Sequence, residues 1–123
     1  MPVTKYTRNL RSGMANNSYE PVYRFLSLAT KAGKIKSGEF SVEKAIKEYE
    51  AYLVIIAEDA SDNTKKHFSD MCSYRDIPIR QFGDSSLIGK FTGKEFRKSI
   101  AVCDEGFSVK LQEMIDAVRA SEI

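Results

Sequence analysis

The sequence predicts an α/β fold: a three-layer α/β/α sandwich on a four-stranded mixed sheet. Three observations carry this expectation. Segments with apolar residues at helical spacing alternate with short apolar, β-branched runs. The run Tyr52-Leu53-Val54-Ile55-Ile56-Ala57 is continuously apolar, the pattern of a central strand covered on both faces. With 123 residues, 42% of them apolar, the chain fits one domain around one core.

Residues 1–19 show no sustained period and carry Lys5, Arg8 and Arg11 without an acid. They read as a flexible basic tail, with residues 20–120 as the single domain; whether the tail is disordered or a basic arm stays open. Ser18 then precedes a helical pattern, with Pro21 suited to a first turn. Val22, Phe25, Leu26, Leu28 and Ala29 form its apolar face, and Gly33 is a C-cap. Lys34-Ile35-Lys36 is long enough only for a small strand or turn, and Ser37-Gly38 breaks the chain. A second helix runs from about Phe40 to Tyr49, with Val42, Ala45, Ile46 and Tyr49 on one face.

After the central run, Asp59 or Ser61 caps a third helix reaching about Tyr74. Asp76 to Phe82 is a short strand, placed at an edge by Pro78. Ser85 starts a fourth helix through about Phe91, ended by Gly93. Lys98 to Cys103 is the last strand. Asp104 or Glu105 opens a final helix with Phe107, Leu111, Met114, Ile115 and Val118 as its stripe.

Several function classes find no support. No stretch approaches the roughly 20 apolar residues of a membrane span. The amino terminus lacks the apolar region of a signal peptide, so cytoplasm is expected. Cys72, Cys103 and the single His67 do not make a zinc set, and no metal is expected. Neither GxGxxG nor GxxxxGK[ST] occurs, and Gly89-Lys90-Phe91-Thr92-Gly93-Lys94 fails the phosphate-loop spacing, so no cofactor is expected. Asp59 reads as a helix cap rather than a catalyst, because no histidine or second clustered acid supports it. An enzyme is not expected.

The net charge is only +2, but it is segregated. Residues 31–47 hold five lysines against Glu39 and Glu43; residues 90–98 hold Lys90, Lys94, Arg97 and Lys98 against Glu95. Gly38 permits an unusual backbone approach where a basic helix begins, and a helix amino terminus attracts phosphate. Lys34 and Lys36 precede that end and Lys44 follows it. Phe96, Arg97 and Lys98 add stacking and cationic surface. No spacing rule joins the two segments.

Their union comes from a resemblance. Lys31-Ala32-Gly33-Lys34, Ser37-Gly38, Glu43-Lys44-Ala45-Ile46 and Leu53-Val54-Ile55-Ile56-Ala57-Glu58-Asp59-Ala60 resemble the kink-turn-binding ribosomal-protein family of the L-seven-Ae and L-thirty-e type. Ile77-Pro78-Ile79, Leu87 to Lys94 and Ile100-Ala101-Val102 follow in order, and Asp104-Glu105-Gly106-Phe107 is similar to a short bacterial ribosome-associated branch. The resemblance covers about residues 22–118. It implies a non-catalytic RNA-binding protein, a monomer, with ribosomal or another structured RNA as partner and the ribosome as a candidate host. It implies a site where the Gly38 turn and second helix meet the loop before the last strand.

The family's Gly-x-Asn-Glu-x-x-Lys pattern aligns Gly38 and Lys44, but Phe40 and Ser41 stand where Asn and Glu read a sheared G·A pair. Glu39 is adjacent and one position off. The second motif corresponds to Lys94 to Ser99 and is bulkier and more basic than usual. The alternative is a protein-interaction adaptor on the same fold, favoured by an acidic or apolar exposed face.

Overall fold

In the computed structural model, which describes residues 13–122, nine elements follow one another. They are α1 (Gly13–Lys31), β1 (Ile35–Ser37), α2 (Glu39–Lys47), β2 (Leu53–Ile56), α3 (Asp62–Arg75), β3 (Ile79–Gln81), α4 (Ser85–Phe91), β4 (Ser99–Val102) and α5 (Glu105–Ser121). The sheet order is β1-β4-β2-β3. β4 runs antiparallel to β1 and β2, and β2 runs parallel to β3, so the sheet is mixed as expected.

Alternation along each strand sends side chains to two cores. Leu53, Ile55, Ile100 and Val102 meet Val22 and Leu26 of α1, Ile88 of α4, and Leu111 and Ile115 of α5. Val54, Ile56 and Ala101 meet Val42 and Ile46 of α2 and Phe68 and Cys72 of α3. These are the three layers. Every residue of β2 and β4 is buried, which is why the Tyr52–Ala57 run shows no polar alternation. β3 lies at the edge, with Pro78 just before it. Among the described residues no helix is long and apolar enough to cross a membrane.

One boundary differs from the sequence expectation by several residues. α1 begins at Gly13, inside the expected tail, and Pro21 lies within the helix instead of its first turn. Proline forfeits one helical hydrogen bond and crowds the preceding turn, but Tyr19 is anchored from outside the helix. Its ring lies 4.6 Å from that of Phe82, and its hydroxyl accepts from Arg119 and donates to Glu122. The rest of the expected tail, residues 1–12, lies outside the described residues. Ser61, not Asp59, caps α3: its Oγ accepts from the Thr64 amide at 3.1 Å. α4 starts at Ser85 and ends at Phe91 as expected, and Asp84 caps it, accepting from the Ser86 and Leu87 amides.

Phe68 is fully buried against the sheet, whereas Tyr74 on the same helix is 84% exposed. Phe68→Ala is therefore expected to cost about 3–5 kcal/mol, and Tyr74→Ala less than about 0.5 kcal/mol. Urea unfolding of the two variants measures the contrast; equal losses would overturn the layer assignment of α3.

Candidate functional site

Three chain segments meet where β1 ends, β2 ends and β4 begins. The Gly38 amide donates to the Ser99 carbonyl at 3.1 Å, and the Ala57 amide donates to the Lys98 carbonyl at 2.9 Å. Arg97 Nε donates to Ser37 Oγ at 3.1 Å, across 60 residues of sequence. The Gly38 turn and the Phe96–Lys98 loop thus lie side by side.

Gly38 has φ 94° and ψ 152°, a conformation that L side chains rarely adopt. An added Cβ would lie 3.9 Å from Arg97 Nε, so the glycine is required by the backbone rather than by crowding. Gly38 is also the N-cap of α2, and no side chain caps that helix. The first-turn amides of α2 and the positive end of its dipole therefore face this end of the molecule. Phe40 is 79% exposed and Phe96 66% exposed, both unusual for phenylalanine outside a binding surface. Phe40 is not a core residue of α2. A cleft of about 290 Å³ lies between the segments, lined by Gly38, Glu39, Phe68, Phe96, Arg97 and Lys98 among others.

The loop before β4 sits on α4. The Lys94 amide donates to the Gly89 carbonyl at 2.7 Å, and the Arg97 amide to the Ser85 carbonyl at 3.0 Å. A Cβ built on Gly89 would fall 1.4 Å from the Glu95 carbonyl oxygen. Gly89 is therefore what lets the loop close on the helix. Asp59, the alternative to Ser61 as a cap of α3, instead accepts from the Ser85 amide at 2.9 Å and from Ser85 Oγ at 2.7 Å. Burial pushes the Asp59 carboxyl up, but the two Ser85 hydrogen bonds, together with its own backbone amide and the nearby Lys98, hold the group below its ordinary value of 3.8. A carboxyl held low stabilises the fold above its unfolded pKa, and that contribution is lost as pH falls through the lower folded value.

The other sequence candidates are placed differently. Ser41 is half-buried in the first turns of α2, next to exposed Phe40. Lys44 lies one turn beyond Phe40 on the same face, paired with Glu48 at 3.1 Å. Lys36 reaches Glu50, past the far end of α2, at 3.1 Å. Lys34 precedes β1 and is separated from Gly38 by roughly 13 Å of extended chain. Arg97 and Lys98 thus flank the Gly38 turn, while the ammonium of Lys36 is paired with Glu50 beyond the C-terminal end of α2.

Sequence reading missed Ser37, Ser85, Gly89 and the true role of Asp59. Gly89 alone carried a signal, since a glycine inside a helix marks a close backbone approach. Among the described residues one group offers metal-ligating atoms close together: those of Glu39, Glu43 and His67 lie within 4.8 Å of one another. His67 Nε2 and Glu43 are already hydrogen-bonded at 2.7 Å.

Residues 20–112 match the sequence model of the ribosomal protein L7Ae/L30e/S12e/Gadd45 family. The chain is 40% identical over 94 residues to the RNA-binding protein YlxQ of Bacillus subtilis (strain 168), covering 76% of this chain and 94% of that one. It is 36% identical over 85 residues to the large ribosomal subunit protein eL30 of Methanoregula boonei, covering 68% and 84%. Among solved structures, a protein with unknown function from Bacillus halodurans superposes with TM-score 0.75 at 38% identity, covering 77% of this chain and 96% of that one. The Giardia lamblia 15.5kD RNA binding protein superposes with TM-score 0.68 over 98% of each chain; at 18% identity it shows a common fold.

Because the Gly89 Cα hydrogen faces a carbonyl oxygen, Gly89→Ala is expected to push the Glu95–Phe96 segment off α4. The loss should be about 1–3 kcal/mol, with faster amide exchange at Lys94 and Arg97. Hydrogen exchange read by NMR checks this; unchanged protection at both amides would refute it.

Proposed function

The chain belongs to the ribosomal protein L7Ae/L30e/S12e/Gadd45 family, and from that membership we propose that it is a non-catalytic RNA-binding protein whose ligand is a structured, kink-turn-like RNA. The observation that carries the proposal is the junction of the Gly38 turn with the Arg97 loop, flanked by two exposed phenylalanines. The open amides of α2, with Arg97, Lys98 and Lys44, supply phosphate contacts. Phe40 and Phe96 supply flat apolar faces on which unstacked bases rest. Gly38 and Glu39 line the cleft beside Phe96, and Ser41 follows Phe40 in the first turn of α2. Ribosomal RNA in the cytoplasm is the proposed setting, supported by the ribosomal names of relatives.

The chemistry departs from base-reading in one respect. An Asn-Glu pair offers amide and carboxylate hydrogen bonds to a sheared G·A pair; Phe40 offers none and Ser41 only a hydroxyl. Affinity therefore rests more on phosphates and stacking than on base edges.

Fluorescence anisotropy with a kink-turn RNA and a control lacking its G·A pairs, over a salt series, tests the proposal. Steeply salt-dependent binding is expected. Absence of RNA binding would favour the adaptor alternative. Arg97→Ala and Lys98→Ala should each flatten the salt slope by about 0.7–0.9; an unchanged slope removes that residue from the phosphate contacts.

The double variant Phe40→Asn with Ser41→Glu should sharpen discrimination between kink-turn and control. A bidentate base contact is worth about 1–3 kcal/mol, or roughly 5- to 150-fold. Since Phe40 is largely exposed, the variant should melt close to wild type. Equal discrimination in a well-folded double variant would refute the assignment of these positions.

A further inference from the structure

We propose that Asp59 is a positioning residue for RNA recognition, holding the Arg97 guanidinium in place through Ser85. This deepens the RNA-binding function and rests on it.

Ser85 is 4% exposed, and all three of its polar groups are committed. Its amide and hydroxyl donate to the two oxygens of Asp59, at 2.9 and 2.7 Å. Its carbonyl accepts from the Arg97 amide at 3.0 Å. Arg97 Nε then donates to Ser37 Oγ at 3.1 Å, beside Gly38. One relay therefore runs from the end of β2, through the first residue of α4, to the turn that opens α2.

Helix capping does not account for Asp59. Asp84 is the N-cap of α4 and takes the Ser86 and Leu87 amides. Only the Ser85 amide is left to Asp59. Two acids divide the amides of one helix start, and the second fixes where the helix sits relative to β2. Without Asp59 the nearly buried Ser85 donors lose both acceptors, and the first turn of α4 shifts together with the Ser85 carbonyl that accepts from the Arg97 amide.

The charge of Asp59 gives the proposal a distinctive sign. It lies at the end assigned to phosphate, close enough to Lys98 for that cation to stabilise its carboxylate. As a mere surface charge it would repel RNA, and neutralising it would tighten binding. As a positioning group its neutralisation weakens binding. Asparagine has one acceptor oxygen, and its amide nitrogen would face a donor, so Asp59→Asn breaks one arm of the pair at nearly constant volume.

The experiment is a double-mutant cycle on the full chain, with Asp59→Asn, Arg97→Ala and their combination, against the kink-turn RNA. Asp59→Asn should weaken binding about tenfold in the wild-type background and hardly at all in the Arg97→Ala background. Tighter binding, no change, or additive losses would overturn the proposal while leaving wild-type RNA binding intact. In the free protein, the Arg97 Nε proton should exchange faster in Asp59→Asn and in the milder Ser85→Ala, whose amide contact survives. An unchanged exchange rate in both variants overturns the positioning role even if the RNA itself proves to be the wrong ligand. Loss of RNA binding by wild type, with Nε exchange accelerated as stated, confines the failure to the proposed function.

Discussion

Strand β4 is hydrogen-bonded along both of its edges. Ser37 pairs with Ile100 on one side, and Ile56 pairs with Ser99 on the other. The loop that enters β4 is therefore held in register with the ends of two other strands. A slip of one residue on either side would turn the buried residues Ile100 and Val102 toward the opposite layer. Both cores forbid such a slip, so the distance between Arg97 and the Gly38 turn is set by packing over the whole sheet. The site inherits its rigidity from residues that never touch a ligand.

The same end of the molecule carries acids that would oppose an anionic ligand, and most are engaged. Glu58, at the end of β2, is paired with Arg119 of α5 at 2.6 Å. Burial, helped by a hydrogen bond to Glu122, pushes the Tyr19 hydroxyl up to about 12, so it stays protonated beside these charges. Asp59 is turned onto Ser85. Glu39 lies nearest to the Gly38 turn and adjoins the Glu43–His67 pair. Glu58, Asp59 and Glu43 thus each have a partner within the protein.

Periodicity made the layers legible in the sequence. The burial of Leu53 to Ile56, the inward stripe of Val42, Ala45 and Ile46, and the edge position near Pro78 all follow from local pattern. What composition and spacing left open was long-range. Nothing local links Ser37 to Arg97, and only the family resemblance brought those segments together. Asp59 and Ser61 are both competent caps, and the choice between them depends on Ser85, which only the folded sheet brings near Asp59. The ion pair of Lys36 with Glu50 was equally hidden, because its partner is 14 residues away in sequence. The passage of α1 through Pro21 depends on Phe82 and Arg119, which lie far along the chain.

The strand order has a consequence for how the molecule comes into being. Among the described residues β1 pairs only with β4, which is the last of the four strands in sequence but lies second in the sheet. As a chain leaves a ribosome at about 5–20 residues per second, the Gly38 turn has no strand to dock on until Ser99–Val102 has emerged. The end that carries the Gly38 turn thus matures only after β4, and a nascent chain that stops short of β4 presents its basic segments without the geometry that joins them. The Gly38 turn and the Arg97 loop can be joined only once β4 has been made, a delay written by nothing more than the position of one strand.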